Sequence, residues 1–198
     1  MKKIIYTQRV EIVKSYGERR DCADQMIPKF LRYCGYIPIP VPNVPELIED
    51  ILSEIKPQGI FFSGGNSLVK YGGDAPERDE TEKILTNFAI NNGVPVFGIC
   101  RGMQFLADYF GAELFPVDNH AGVRHEIHGL INRKSVNSFH TFGLKNLPNE
   151  FRILAKTSDD FIEAFEHKNL KIAAVFWHPE RERIFDNEDV AMIKNFFK

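Results

Sequence analysis

Cys100 stands at the seam between an apolar run, Val94 to Ile99, and an amphipathic segment, with Gly98 and Gly102 two residues to either side. A strand that ends in Gly-x-Cys-x-Gly and opens a helix has the pattern of a nucleophile elbow. The nucleophile of such an elbow sits on a tight, strained turn, so its flanks must be small. The helix behind it aims N–H groups and a positive dipole end at the sulfur, which favours thiolate. The backbone N–H of Arg101, just after the cysteine, is placed to receive a developing oxyanion. A buried structural cysteine between packing glycines is the plainer alternative, because cysteine is among the most buried residue types. The glycine spacing and the strand-to-helix position favour the nucleophile.

A thiol nucleophile needs a base, and the base needs a group to orient it. Of the six histidines, His178 stands out. It ends the apolar run "IAAVFW" and is followed by Pro179 and Glu180. The C-terminal end of a strand is where an α/β sheet presents its site. A carboxylate two residues on can reach back to the imidazole and hold one tautomer.

The elements that must position these groups are legible as alternating patterns. Residues 2–10 read as a first strand. "ERRDCADQMIPKFLRYCG" has helical spacing and ends at Gly35, and "YIPIPVP" is extended because of its prolines. "PELIEDILSEIKP" and "RDETEKILTNFAINNG" read as amphipathic helices, the second closed by Gly93 with Ile84, Leu85, Phe88 and Ala89 as its packing stripe. "GIFFSGG" and "VPVFGI" read as buried strands. The first 115 residues thus alternate strand and helix, which predicts a parallel sheet covered on both faces. Beyond Pro116 the extended pieces "HGLINR", "SVNSFH", "RILAKTS", "FIEAFEH" and "KIAAVFWHPE" follow, and "NEDVAMIKNFFK" reads as a last helix. No linker or repeat interrupts the chain, so residues 1–198 read as one α/β domain.

Composition bounds the function. Net charge is −2, which gives no electrostatic footprint for nucleic acid or a membrane surface. Apolar runs are too short to span a bilayer. The start lacks a signal-peptide pattern and reads as mature protein from residue 1. Cys22, Cys34 and Cys100 share no metal-like spacing, and three cysteines suit a reducing cytoplasm. Cys22 and Cys34 read as packing residues in or beside the first helix. "SGGNSLVKYGGD" lacks the Gly-Lys-Ser/Thr of a P-loop.

Together these residues resemble the class I glutamine amidotransferase superfamily. "GICRGMQ" is similar to its cysteine elbow and "WHPE" to its histidine and glutamate. "SGGN" (Ser63–Asn66) resembles the turn that supplies the second oxyanion-hole N–H, near Gly65. The resemblance implies a flavodoxin-like α/β fold, mostly parallel and flanked by helices on both faces. It implies Cys100, His178 and Glu180 as a triad, with Gly65 and Arg101 as the oxyanion hole. "ERRD" (Glu18–Asp21), "RDETEKIL" from Arg78 and "VNSFH" (Val136–His140) are similar to the stand-alone γ-glutamyl hydrolases. Among these the chain looks most like hydrolases of γ-glutamyl-CDP-amidate, from bacterial capsule phosphoramidate biosynthesis. Where relatives carry a second histidine after "NSxH", this chain has Thr141.

The implied reaction hydrolyses a γ-glutamyl amide of a small-molecule substrate, with no cofactor or metal. Gln104 resembles the family contact to the glutamyl α-amino/carboxylate end. Asn137, Ser138 and His140 look like substrate contacts, though a polar turn would read similarly. Phosphoryl groups on a leaving group need local cations, for which Arg19, Arg20, Arg101, Arg124 and His125 are the candidates. "RHEIH" (Arg124–His128) reads equally well as a solvated loop. A hydrolase of γ-glutamyl-GABA type, a glutaminase subunit serving a separate synthetase, and a homodimer all stay open.

Overall fold

A computed structural model describes residues 1–198. From the N-terminus the chain forms β1 (Lys3–Tyr6), a hairpin of β2 (Arg9–Val13) and β3 (Glu18–Cys22), and helix α1 (Met26–Tyr33). Then come β4 (Ile37–Pro40), α2 (Ile48–Ile55), β5 (Gly59–Phe62), α3 (Pro76–Asn92), β6 (Val96–Ile99) and α4 (Arg101–Tyr109). The rest is mostly strand: β7 (Leu114–Pro116), β8 (Ala121–Gly129), β9 (Ser135–Phe139), β10 (Phe142–Leu144), β11 (Phe151–Thr157), β12 (Ile162–His167) and β13 (Ile172–Val175). Helix α5 (Asn187–Phe196) follows.

The main sheet runs β4-β1-β5-β6-β13-β12-β11-β8-β9. The five strands from β4 to β13 are mutually parallel, as the strand–helix alternation predicts. From β12 outward every pairing is antiparallel, so the sheet as a whole is mixed, with a parallel half that carries the helices. The change follows from connection length. The strands after Pro116 are joined by turns too short to hold a crossover helix, and short turns reverse the chain.

Successive side chains of a strand point to opposite faces, and the parallel strands are apolar on both. Ile5, Ile60, Phe62, Val96 and Ala174 pack with Ile48 and Leu52 of α2, Leu85 and Ala89 of α3, and Met103 and Leu106 of α4. Ile4, Phe61, Phe97, Ala173 and Val175 pack on the other face with Ile27, Phe30 and Leu31 of α1 and Val190 and Ile193 of α5. Asp186 caps α5, accepting from the backbone N–H of Glu188 at 2.8 Å. No helix is long and apolar enough to cross a membrane.

Three sequence expectations are corrected. The first strand breaks after Tyr6, and "ERRDC" is not helix but β3, paired with β2 in the register Glu11↔Arg20. The hairpin turns at Gly17, whose φ of +76° suits glycine, and its N–H donates to the Val13 carbonyl at 2.8 Å. Cys22 therefore ends a strand. "RHEIH" is not a solvated loop but lies inside β8.

Candidate active site

Parallel pairing aligns the strand ends that carry the chemistry. Val175 of β13 lies opposite Ile99 of β6, so Cys100 and His178 leave neighbouring strands at the same edge of the sheet. Cys100 is buried at φ +48° and ψ −108°. The glycines on either side allow this turn. A Cβ on Gly98 would lie 2.7 Å from the Gly102 carbonyl carbon, and one on Gly102 would lie 2.4 Å from the Phe62 carbonyl oxygen. Helix α4 thus begins directly on the β5–β6 backbone, with room for no side chain there.

Cys100 and His178 both border Gly64, and the His178 Nδ1 lies 2.6 Å from Glu180 Oε1. Burial alone would push the imidazole down, but the charges of Cys100 and Glu180 outweigh it and raise His178 to about 10. Asn137 holds the His178 backbone from both directions. Its Oδ1 accepts from the His178 N–H and its Nδ2 donates to the His178 carbonyl, each at 2.9 Å. Behind it, Glu182 accepts from Asn137 and Arg133, and Asp189 accepts from Arg133 and from the Trp177 indole.

The turn after β5 borders both groups. A Cβ on Gly64 would lie 2.6 Å from His178 Cε1 and 3.5 Å from Cys100 Cβ. Gly65 adopts φ +85°, and its N–H makes no backbone hydrogen bond. The Arg101 N–H, first in α4, has no intrahelical acceptor. Arg78, fully buried on α3, locks this turn. It donates to the carbonyls of Gly65 at 2.6 Å and Ser63 at 2.8 Å, and to Glu82 at 3.1 Å. Thr7 completes the network, donating to Glu82 and accepting from the Ser63 N–H.

The remaining sequence candidates divide. Gln104 lies one turn into α4, and its amide nitrogen donates to the Phe142 carbonyl at 3.0 Å. Asn137 is in the site but committed to His178. Ser138 is fully buried and hydrogen-bonded to the His120 carbonyl. His140 turns inward, onto Glu163 at 3.2 Å. Among the cation candidates, the Arg101 side chain pairs with Asp79 and Glu82, Arg19 with Glu77, and Arg20 with Glu18. Arg124 pairs with Glu182, and His125 faces Glu163. Only Arg101 is buried in its pairs; Arg19, Arg20 and Arg124 make surface ion pairs.

A narrow cleft beside His178 and Gly64 is lined instead by Arg9 and Arg181, with Cys22 and Asp24. Sequence reasoning missed both arginines, and also Gly64. Arg9 lies hidden in what reads as the first strand; Arg181 directly follows the "HPE" motif and could have been found by proximity.

The arrangement offers a buried thiol, a paired imidazole–carboxylate and unsatisfied backbone donors, the components of acyl transfer through a thioester. The chain matches the model of the glutamine amidotransferase class-I family over residues 20–198. It is 32% identical to a γ-glutamyl-CDP-amidate hydrolase of Campylobacter jejuni, over 96% of this chain and 95% of that one. It is 37% identical to a glutamine-hydrolysing GMP synthase subunit of Pyrococcus abyssi, over 85% of this chain and 88% of that one. A crystal structure of a putative GMP synthase subunit from Thermoplasma acidophilum shares the fold, with a TM-score of 0.74 at 20% identity over 100% of this chain and 93% of that one. From the elbow at Cys100 to the histidine at the end of β13, on a sheet this family shares, the chain belongs to the class-I glutamine amidotransferases.

Proposed function

We propose that the protein hydrolyses a γ-glutamyl amide bond, with γ-glutamyl-CDP-amidate as its substrate. The observation that carries the reaction is the juxtaposition of Cys100, His178 and Glu180 at the ends of adjacent parallel strands. The leaving group rests on the likeness to the Campylobacter jejuni hydrolase. The site draws on residues from Arg9 to Arg181, and we take residues 1–198 as one domain.

Cys100 thiolate attacks the γ-carbonyl carbon and the C=O electrons move to oxygen. Backbone N–H groups of Gly65 and Arg101 hold that oxyanion. The tetrahedral species collapses, breaking the C–N bond, and the His178 imidazolium gives its proton to the departing nitrogen. Water, deprotonated by His178, then attacks the thioester carbonyl. The tetrahedral species collapses, breaking the C–S bond; glutamate leaves and the Cys100 thiolate and His178 imidazolium are restored. Glu180 keeps His178 in one orientation throughout, and the Gln104 Oε1 is available to the glutamyl amino group.

The test is glutamate release by the purified chain alone from γ-glutamyl-CDP-amidate, γ-glutamyl-GABA and glutamine. Fastest release from the nucleotide substrate, lost in Cys100→Ala, is the expected result. The likeness to GMP synthase subunits favours one alternative, a glutaminase. Release from glutamine only, and only when a synthetase partner is added, would establish that role instead.

A further inference from the structure

Away from Cys100, the far strands bring three histidines around one carboxylate. His120 precedes β8, His125 lies on it, His140 follows β9, and Glu163 lies on β12. One donor atom from each of the four lies within 4.8 Å of the others. From Glu163 Oε1 the distances are 3.2 Å to His140 Nε2, 3.5 Å to His125 Nε2 and 3.8 Å to His120 Nδ1. Tetrahedral bonds of about 2.0–2.1 Å separate donor atoms by about 3.3–3.4 Å. The three distances bracket that spacing.

The outward-facing nitrogens have acceptors of their own. His140 Nδ1 lies 3.1 Å from the Phe142 carbonyl, which can only accept, so a neutral ring protonated on Nδ1 presents its Nε2 lone pair to Glu163. His120 Nε2 lies 3.1 Å from Asp159 Oδ2, which leaves its Nδ1 bare as well. Both lone pairs point at a carboxylate. His120 Nδ1, His125 Nε2 and Glu163 Oε2 are buried without hydrogen-bond partners. Buried polar atoms in this state are rare and costly. Protons could supply positive charge, but one proton answers only one nitrogen, and several imidazoliums this close repel strongly. A single divalent cation satisfies all four groups. The outer partners, a carboxylate on one ligand histidine and a carbonyl on another, are those that metal-bound imidazoles use.

We propose that His120, His125, His140 and Glu163 bind one divalent transition-metal ion, zinc by donor set and geometry. Four protein ligands close the coordination sphere, as in structural zinc sites. The ion ties the β8–β9 pair to β12, next to the strand that delivers His178. His140 also stacks on Phe176 at 4.2 Å, two residues before His178. Spacing along the chain conceals the site, because the ligands come from separate segments joined only by the antiparallel half of the sheet.

The test uses the full chain without a histidine tag, with Cys100→Ala to remove a competing thiolate. Protein dialysed against a chelator is titrated with zinc chloride. One equivalent is expected by elemental analysis, with a rise in Tm, while magnesium chloride gives neither. Cobalt(II) is expected to give the strong visible bands of a tetrahedral site without a thiolate charge-transfer band. His125→Ala, at the most accessible ligand, is expected to keep native circular dichroism and lose stoichiometric zinc; Glu163→Gln likewise loses it. Asp159→Asn is expected to weaken zinc about ten- to a hundredfold. Failure of the metal-free chain to take up one equivalent overturns the proposal. So does unchanged affinity in both His125→Ala and Glu163→Gln.

Discussion

Cys100 holds φ +48° and ψ −108°, a conformation that costs a residue with a Cβ about 1–3 kcal/mol. Alanine in its place keeps that strain, whereas glycine releases it and loses about 0.5–1 kcal/mol of chain entropy. Cys100→Gly is therefore expected to be more stable than Cys100→Ala by roughly 1 kcal/mol in denaturant unfolding; the reverse order would mean that the turn is unstrained. His178 gives a pH prediction. Burial works against its imidazolium, but Cys100 and Glu180 raise it from 6.5 to about 10. A folded value above the unfolded one contributes stability that is complete below pH 6.5 and lost as pH rises through about 10. The alkaline limb of kcat/KM should then fall near pH 10, and Glu180→Gln should pull it toward neutrality. A wild-type limb near pH 6.5 would contradict the ion pair. These residues were legible from sequence because motif and spacing are local: Gly-x-Cys-x-Gly and His-x-Glu each lie within a few residues.

The groups that position those residues belong to elements far apart in sequence, and there the sequence reading ran out. Asn137 reads from its neighbours as a polar turn or a substrate contact. Only the packing of β9 beside the end of β13 shows both ends of its amide committed to the His178 backbone. Asn137→Ala should lower kcat by about a hundredfold through misplacement of the imidazole, with KM nearly unchanged. An equal rise in KM would return Asn137 to substrate contact. Arg78 shows the same limit. "RDETE" displays the i,i+4 spacing of Arg78 and Glu82, which on an exposed helix is a weak surface pair. Here both side chains are fully buried, and Arg78 also carries the carbonyls of Ser63 and Gly65. Arg78→Met should cost about 3–5 kcal/mol, because it leaves Glu82 with one fewer cation in a buried site. A loss under about 1 kcal/mol by calorimetry would show that Arg101 alone balances Glu82. The β2–β3 hairpin was missed because "VEIV" and "SYG" are too short to outweigh the helical spacing that follows them.

At the scale of the whole molecule, the charge of −2 says nothing about where cations gather. A leaving group bearing phosphoryl oxygens must find them at the cleft. None of the arginines that the sequence offers lines it: Arg101 is buried against Asp79 and Glu82, and Arg19, Arg20 and Arg124 make their ion pairs outside the cleft. Arg9 and Arg181 both line the cleft, one on the hairpin beside Gly65 and the other on the turn after Glu180. Arg181 rests 4.8 Å over the Phe139 ring, which orders its guanidinium without occupying its donors. Arg9 is paired with the half-exposed Glu11, a partner that solvent can replace. A charge-assisted hydrogen bond to phosphate is worth roughly 1.5–3 kcal/mol. Arg9→Ala and Arg181→Ala should therefore each lower kcat/KM for γ-glutamyl-CDP-amidate about ten- to a hundredfold more than for γ-glutamyl-GABA, which lacks phosphate. Arg19→Ala and Arg20→Ala should change the ratio of the two substrates by less than about threefold, since neither lines the cleft: Arg19 pairs with Glu77 of α3 and Arg20 with Glu18 on the hairpin. The ratio is the measurement that matters, because Arg181 also lies 3.8 Å from Glu180 and its loss could slow both substrates. Parallel losses on both substrates in all four variants would separate these arginines from the leaving group and leave only the γ-glutamyl end of the substrate recognised.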